Sequence, residues 1–545
     1  MNRRHFLALC AALGLTACAP KTSNPADPAG SEPVIPRGWD GEPRPLPIPP
    51  LLDGDETDGR YYYKLTAQTG ETEILPGIKT ATWGFNGAML GPTIHASRNH
   101  PVDFEFTSEL PETTAVHCHG LLLPANMDGG PHSTIEPGAT WTSSFTVNQP
   151  ALTAWYHPHP HGKTGVQAYR GLAGMIIIDD DVEQALDIPH DYGVDDIPIV
   201  IMDANFTDDG QLDETFDPNL GLQGAVPHVN GITNPEFTAT KPRARFRLLN
   251  GSNMRFHNLG FDDGREFQVI ATDSGLLDKP RKVTSVRLGP GERAEIVADV
   301  TGTMKLRSLG YADNLGVPQD GYSLDFKLQE QVDLLTIRGP VPGNAPGTIQ
   351  RADQGEDVTV NVVAPDVLDP AAAAPIKTAT IERKFELNTF QINGKSMDMN
   401  RVDVVIDHSD PETWIVTNGN SDWIHNFHIH NCAFKVLEVS DTNIQFDAYG
   451  WKDTVTIPPG VTVKLGVLFG QYRNNHYPYM YHCHMLFHED KGMMGQYMMV
   501  EPGEEPDLQT DYTAHGGHGG HGGHSDDTGS AESTESSTEG ESQYE

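Results

Sequence analysis

Short runs of alternating hydrophobic and polar residues recur along most of the chain. Examples are residues 102–106 (VDFEF), 243–249 (RARFRLL) and 462–467 (TVKLGV), and Gly, Pro, Asn and Asp break the pattern between such runs. Alternation with a period of two places successive side chains on opposite faces of a β-strand, and long helical periodicities are scarce. The pattern predicts an all-β protein built of sandwiches.

Breaks in this pattern predict how the chain is divided. Apolar runs end near Ile178 and Ile337, and acidic or Pro- and Gly-rich sequence follows each of them. Beyond Pro502 the chain is acidic, polar and poor in large apolar residues, which predicts a disordered tail. The predicted segments are three sandwich domains at 51–181, 182–340 and 378–503, a Pro- and Ala-rich linker at 341–377, and the tail at 504–545.

The first 50 residues are typical of an export signal and a tether. Arg3 and Arg4 precede an apolar stretch, residues 6–17, that is too short to span a bilayer. This arrangement resembles a twin-arginine export signal, and residues 15–18 (LTAC) resemble a lipoprotein cleavage box, with Cys18 as the lipidated first residue. The alternative is a Sec signal with an incidental cysteine. We expect a signal at 1–18, a Pro-rich tether at 19–50, and a location in the periplasm or on the outer face of the cell membrane.

The net charge of the chain excludes some classes of binding partner, and its cysteine count excludes a disulfide scaffold. The 545 residues carry 37 basic and 75 acidic side chains, which gives a net charge of −38. Such a charge repels nucleic acid and anionic lipid surfaces and attracts cations. We therefore expect no nucleic-acid partner, and membrane contact only through a lipid at Cys18. Five cysteines, two of them in the signal, are too few for a disulfide scaffold.

Histidine pairs at positions i and i+2 carry the candidate chemistry. On a strand, each pair directs two imidazoles to one face, and such pairs recur too often in this chain to be accidental. Eight imidazoles are too many for one metal ion and enough for about three. The pairs are His117/His119, His157/His159, His428/His430 and His482/His484.

The last pair encloses Cys483, which should face the opposite side of its strand. One strand then joins two metal sites back to back. His488 and Met493 follow after a loop, and His425 precedes the third pair by an odd step. Two His, one Cys thiolate and a weak Met match the ligand set of blue copper sites.

These motifs resemble the four copper motifs of the multicopper oxidases, above all those of bacterial laccases and periplasmic copper-efflux oxidases. The resemblance covers about residues 50–503 and implies three consecutive cupredoxin-like Greek-key β-sandwich domains, the middle one a spacer without copper. It further implies four copper ions per chain. The implied ligands are His425, Cys483, His488 and Met493 for type 1 copper, His117 and His428 for type 2, and His119, His157, His159, His430, His482 and His484 for the type 3 pair.

The resemblance also implies a mechanism. A reducing substrate gives single electrons to type 1 copper, and the electrons pass through Cys483 to His482 and His484. At the cluster, O2 is reduced to water with four electrons. Asp128 and Glu489 match the positions of proton-delivering acids in the family, whereas from the residues alone they are a turn former and a solvated loop acid.

Several residues leave alternatives open. Cys118 and Cys432 are interpreted as packed thiols, although a bridge between them is compatible with the sequence. The tail residues His515, His518, His521 and His524 predict accessory metal binding, and the alternative is a polar tail with no task. His228 and His257 are interpreted as structural or surface histidines, and Met397 and Met399 as core residues.

The sequence is compatible with two classes of reducing substrate. A laccase-like oxidation of phenols or aromatic amines is placed first, and a cuprous oxidase that detoxifies copper comes second. The acidic surface and the His tail favour the cuprous oxidase, but the Met-rich insert of the efflux oxidases is missing, and Asp422 is out of register with their substrate site. The alternative from another class is a non-catalytic copper-binding or structural protein, which loss of ligands would indicate. One chain completes the cluster, so a monomer is expected.

Overall fold

Three pairs of β-sheets make up the protein in this computed structural model, which describes residues 36–318, 326–340, 368–373, 376, 379–441 and 449–509. These residues belong to one compact unit. The predicted signal at 1–18, most of the linker at 341–377, and the tail histidines lie outside the described residues.

The first sandwich joins two sheets, with strand orders β2-β6-β11-β10-β8 and β3-β4-β7-β9, and β5 pairs with β4. Its core contains Phe104 and Phe106 from one sheet and Tyr156 from the other. The strands in this part of the chain are Arg44–Pro45 (β1), Leu51–Leu52 (β2), Asp55–Thr57 (β3), Arg60–Thr72 (β4), Thr80–Phe85 (β5), Thr93–Ser97 (β6), Pro101–Ser108 (β7), Val116–His119 (β8), Thr140–Thr146 (β9), Leu152–Pro158 (β10) and Gly174–Asp179 (β11).

The middle sandwich joins the sheets β1-β14-β22-β21-β16-β19 and β13-β12-β15-β20-β17-β18. Ile199, Phe246 and Ile296 from one sheet share a buried cluster with Leu259 and Ile337 from the other. Its further strands are Asp196–Ala204 (β12), Val226–Val229 (β13), Pro235–Thr238 (β14), Arg243–Asn250 (β15), His257–Phe261 (β16), Phe267–Thr272 (β17), Gly275–Val283 (β18), Ser285–Leu288 (β19), Arg293–Asp299 (β20), Thr303–Ser308 (β21) and Val332–Arg338 (β22).

The third sandwich joins the sheets β24-β23-β26-β30-β28 and β25-β32-β31-β27-β29. Trp414 and Val463 from one sheet pack with Phe427 and Tyr481 from the other. Its strands are Ile381–Asn388 (β23), Gln391–Ile392 (β24), Val404–Ile406 (β25), Glu412–Asn418 (β26), His425–Ile429 (β27), Cys432–Val439 (β28), Thr454–Ile457 (β29), Thr462–Phe469 (β30), Tyr479–His482 (β31) and Met494–Met499 (β32).

Helices are short and few among the described residues. The α-helices are Thr164–Tyr169 (α1), Asp181–Gln184 (α2) and Leu486–Asp490 (α3), and 3-10 turns occupy Ala125–Met127, Asn314–Gly316 and Pro370–Ala373. In the described part of the chain no helix has the length and apolar content needed to cross a bilayer. The predicted all-β class with cupredoxin-like sandwiches is confirmed.

The folded body begins earlier in the chain than the sequence indicated. β1, inside the predicted tether, pairs in parallel with β14, and Leu46 is buried in the core of the middle sandwich. Leu368, inside the predicted linker, packs into the same core, and its N–H donates to the carbonyl of Asp278 at 3.0 Å. These short segments show no alternation that would have predicted them. Their positions depend on contacts with strands that are distant in sequence.

Candidate metal centre

Each histidine pair begins on a β-strand, as predicted, but only His117/His119 lies entirely within one. His159, His430 and His484 lie just beyond the ends of β10, β27 and β31. Within each pair the ring centroids lie 5.0–5.9 Å apart. β8 and β10 pair with His117 opposite His157, and β27 and β31 pair with His428 opposite His482. The first and third sandwiches then meet, because the rings of His119 and His428 stack at 3.7 Å and those of His117 and His430 at 3.9 Å.

Three ring nitrogens, from residues at or just beyond the ends of β10, β27 and β31, converge on one point. His482 Nε2 lies 3.2 Å from His430 Nε2 and 3.4 Å from His159 Nε2. All three side chains are buried. Three imidazole nitrogens aimed at one another form a ligand set for a transition metal.

Most rings in the cluster are oriented by an oxygen at Nδ1. A carbonyl or carboxylate only accepts, so Nδ1 carries the proton and Nε2 keeps the lone pair that a metal needs. Among the described residues, no hydrogen-bond partner reaches the buried Nε2 atoms of His117, His157 and His428. The Nδ1 contacts are His117 to the Asp128 carbonyl at 2.8 Å, His157 to the Pro158 carbonyl at 2.9 Å, His428 to the Asp453 carbonyl at 2.9 Å, His430 to Asp128 Oδ2 at 2.6 Å and His482 to the Cys483 carbonyl at 3.2 Å.

His119 has the opposite orientation. Its Nε2 lies 3.0 Å from Asp453 Oδ1, whereas its Nδ1 is buried without a partner. The Thr454 hydroxyl donates to the same Asp453 oxygen at 2.9 Å. His119 therefore offers Nδ1 to a metal. The sequence did not predict this reversal.

Cys483 faces away from the cluster, as predicted, into a second site. Its Sγ lies 3.6 Å from His425 Nδ1 and 3.5 Å from His488 Nδ1. Asn420 Oδ1 accepts from His425 Nε2 at 2.9 Å, which leaves Nδ1 of that ring for a metal. Met493 is fully buried, and its carbonyl accepts from the Cys483 N–H at 3.1 Å.

Burial shifts the pKa values of the candidate ligands in both sites in a way that favours binding of a cation. Desolvation lowers the pKa of His159 to about 4 and that of His425 to about 3, so both rings are neutral at neutral pH. Burial also raises the pKa of the Cys483 thiol to about 12. A thiolate at this position therefore requires a bound cation, and a Cys-His-His set of this kind suits copper.

The two candidate acids touch the ligand rings directly. Asp128 Oδ2 contacts His430, and Glu489 bridges His159 Nδ1 at 3.3 Å and His482 Nδ1 at 3.2 Å. Both acids are buried, so Glu489 is not a solvated loop acid. Burial raises the pKa of the Asp128 carboxyl well above its usual range.

Sequence reasoning missed the residues that orient the ligands. Asn420, Asp453 and Trp423, whose ring stacks on His488 at 5.2 Å, received no role. The signal for Asp453 was a sequence stretch, residues 451–454 (WKDT), that resembles the efflux oxidases. Arg293, which contacts Asp453, had no such signal.

The remaining cysteine and histidine predictions are resolved by the structure. Cys118 and Cys432 are free, buried thiols, so the bridge that the sequence left open is absent. His228 and His257 are buried structural residues.

The interpretation of Met397 and Met399 as core residues is wrong. Both are partly exposed and belong to none of the buried clusters, because the loop after β24 runs over the surface.

Comparisons with known proteins agree with this geometry. Two multicopper oxidase family profiles match residues 66–183 and 369–503. The multicopper oxidase mco of Staphylococcus aureus is 34% identical over 460 residues, which is 83% of this chain and 91% of that protein. The cell division protein FtsP of Escherichia coli is 30% identical over 503 residues, 92% of this chain and 99% of that protein. The crystal structure of a laccase from Pediococcus acidilactici superposes with a TM-score of 0.73 at 33% identity, over 86% of this chain and 95% of that one.

Proposed function

The chain belongs to the multicopper oxidase family, and from this premise we propose that it oxidises a small reducing substrate one electron at a time and reduces O2 to water. Phenols and aromatic amines are the proposed reductants. Bound copper would supply the redox chemistry, and the protein supplies ligand geometry, access and proton positions.

One observation supports the proposal: two groups of candidate ligands meet at the dipeptide 482–483. His482 joins the histidine cluster, and Cys483 joins His425 and His488 in the second site. One peptide bond separates the two sets, which gives electrons a short covalent path from one to the other. A site that only stores metal needs no such link.

We propose that the ligands divide as the family resemblance implies, for four copper ions in total. His425, Cys483, His488 and Met493 hold type 1 copper, and the remaining pairs hold the other three ions. The orphaned Nε2 atoms of His117 and His428 support a shared type 2 ion, and the convergence of His159, His430 and His482 supports one half of the type 3 pair. The other half takes His119, His157 and His484.

Asp128 and Glu489 would deliver the protons that the reduction of O2 consumes. Their contacts with Nδ1 of ligand histidines place both carboxyls beside the cluster. The raised pKa of Asp128 favours a protonated carboxyl at neutral pH, as a proton donor requires.

Oxygen uptake by the copper-loaded protein tests the proposal, with cuprous ion and a methoxyphenol offered in parallel. Faster uptake with the phenol supports the laccase-like function. Uptake with neither reductant, in a sample that holds four copper ions per chain, would overturn the oxidase proposal.

A cuprous oxidase for copper detoxification is the second candidate. The net charge of −38 and the tail histidines at 515–524 favour attraction of metal cations. Faster uptake with cuprous ion than with the phenol would make this the leading function.

A non-catalytic role is the third candidate, because one relative is a cell division protein. Here every expected ligand is present and buried, which favours the oxidase. Metal binding without oxygen uptake would favour the non-catalytic role.

We further propose twin-arginine export, a lipid at Cys18, an accessory metal-binding tail and a monomer. The Arg pair and the small residues before Cys18 support the first two, and the spacing of the tail histidines supports the third. The division into three sandwich domains remains part of this proposal, with β1 and Leu368 added to the middle one.

A further inference from the structure

We propose that the middle sandwich, which carries none of the expected copper ligands, supplies part of the metal centre through the turn at 289–293 (GPGER). Within this turn, Arg293 is a positioning residue that fixes the orientation of His119 through Asp453. The inference rests on the proposed copper function. It deepens that function, because it gives the middle sandwich a role in the geometry of the histidine cluster.

Arg293 makes a bidentate contact with the Asp453 carboxylate through both terminal nitrogens of its guanidinium. Nη1 donates to Asp453 Oδ1 at 2.8 Å and Nη2 donates to Oδ2 at 2.6 Å. Both side chains are buried, so the contact is shielded from bulk solvent. A paired, two-point contact fixes the plane of the carboxylate, whereas a lysine would act as a point charge.

Arg293 is itself held in place from two sides. Its Nε donates to the Thr153 carbonyl at 3.0 Å, on the strand β10 that carries His157. Nη2 donates to the Asp273 carbonyl at 2.9 Å, and Asp273 Oδ1 accepts from the Arg293 N–H at 2.7 Å. One arginine therefore ties the first, middle and third sandwiches together beside the cluster.

This bidentate contact accounts for the reversed orientation of the His119 ring. The other cluster rings with a fixed Nδ1 contact use carbonyls or Asp128, but His119 uses Nε2 against Asp453 Oδ1. If the carboxylate plane turned, the ring would lose Asp453 as its acceptor, and the Thr454 hydroxyl, 3.3 Å from Nε2, would be left to orient it. Its Nδ1 would then no longer be aimed at the metal.

The same turn also touches the ligands on its other side. A Cβ added at Gly291, where φ is +83°, would lie 2.9 Å from His484 Nδ1 and 3.0 Å from its Cγ. The Pro290 carbonyl accepts from Asn426 Nδ2 at 2.8 Å, and the other amide atom of Asn426 lies 3.5 Å from Cys483 Sγ. Room for His484 thus depends on a glycine of the middle sandwich.

Arg293→Lys in the full-length, copper-loaded protein tests the proposal. The readouts are copper retained per chain after dialysis against a chelator, and the absorption of type 1 copper. We expect at least about tenfold weaker retention of the cluster ions, with the type 1 absorption retained. Arg245→Lys is the matched control, because Arg245 is equally buried, pairs with Glu295 and touches no ligand.

Cluster copper held as tightly in Arg293→Lys as in Arg245→Lys would overturn the inference. A parallel loss of type 1 and cluster copper in both variants would indicate general unfolding, and Gly291→Ala then decides the question. A wild-type protein that binds no cluster copper would instead overturn the proposed function.

Gly291→Ala keeps the test valid if Arg293→Lys does not fold. We expect it to weaken cluster retention at least about tenfold as well, because His484 must move. Gly302→Ala is its control, since Gly302 has φ of +82° but open space around the added Cβ. Equal copper retention in the two alanine variants would count against the role of the turn.

Discussion

Two groups of buried histidines in this protein have different surroundings. In the first and third sandwiches the rings stack, their nitrogens converge, and oxygens fix most of their Nδ1 atoms. In the middle sandwich, His228 and His257 stand alone, each with a buried Nδ1 that lacks a partner. Burial lowers the pKa of His228 to about 4 and that of His257 to about 3.

The comparison shows that burial and an unpaired nitrogen do not define a metal site. Both groups have them. What distinguishes the cluster is convergence, which requires strands from two sandwiches to bring rings to one point. The following predictions test that distinction from the largest expected effect to the smallest.

Replacing one converging ring should abolish the reaction, whereas replacing a solitary ring should not. We expect His430→Gln to reduce oxygen uptake to the level of copper-free protein, because the convergent nitrogen set loses a member. His228→Gln should keep uptake within about twofold of wild type, since surface and structural changes leave the ligands in place. Oxygen electrode rates and copper content per chain measure both. Equal losses in the two variants would erase the distinction.

Cys483→Ser should separate the two halves of the centre. We expect the type 1 absorption to disappear while the cluster ions remain, because only Cys483 supplies a thiolate to the second site. Oxygen uptake should then fall to background. Cys432→Ser is the matched control, because this buried thiol donates to the Ile429 carbonyl, which a hydroxyl can also reach. Retained blue colour in Cys483→Ser would contradict the assignment.

Much of this centre was predictable because strand alternation is local. The faces of His428 and Cys483, and the odd step to His425, follow from a period of two. Arg293 and Asp453 are 160 residues apart, so no local pattern links them. The reversed ring of His119 depends on that distant pair, and the pairing of β1 with β14 is likewise decided by tertiary contacts.

Asp128→Asn should give an intermediate effect. The amide still fills the space beside His430 but cannot deliver a proton, so we expect oxygen uptake to fall about 10- to 100-fold. The reduction potential of type 1 copper should stay unchanged, because Asp128 contacts only the cluster side. Steady-state rates between pH 5 and 8 measure the effect. Unchanged rates with an unchanged pH dependence would remove Asp128 from proton delivery.

The smallest effect concerns acid stability and leaves activity untouched. Because the pKa of His228 falls from an ordinary value of 6.5 to about 4 on folding, the unfolded chain binds more protons between these pH values. The contribution of neutral His228 to the free energy of unfolding is therefore complete above pH 6.5 and is lost as the pH falls towards 4. A shift of about 2.5 units corresponds to about 3 kcal/mol. Urea unfolding of wild type and His228→Gln at pH 7 and pH 4 should show the variant losing about 3 kcal/mol less on acidification. Equal losses would mean that the solitary ring, unlike the cluster rings, is already solvated in the folded state.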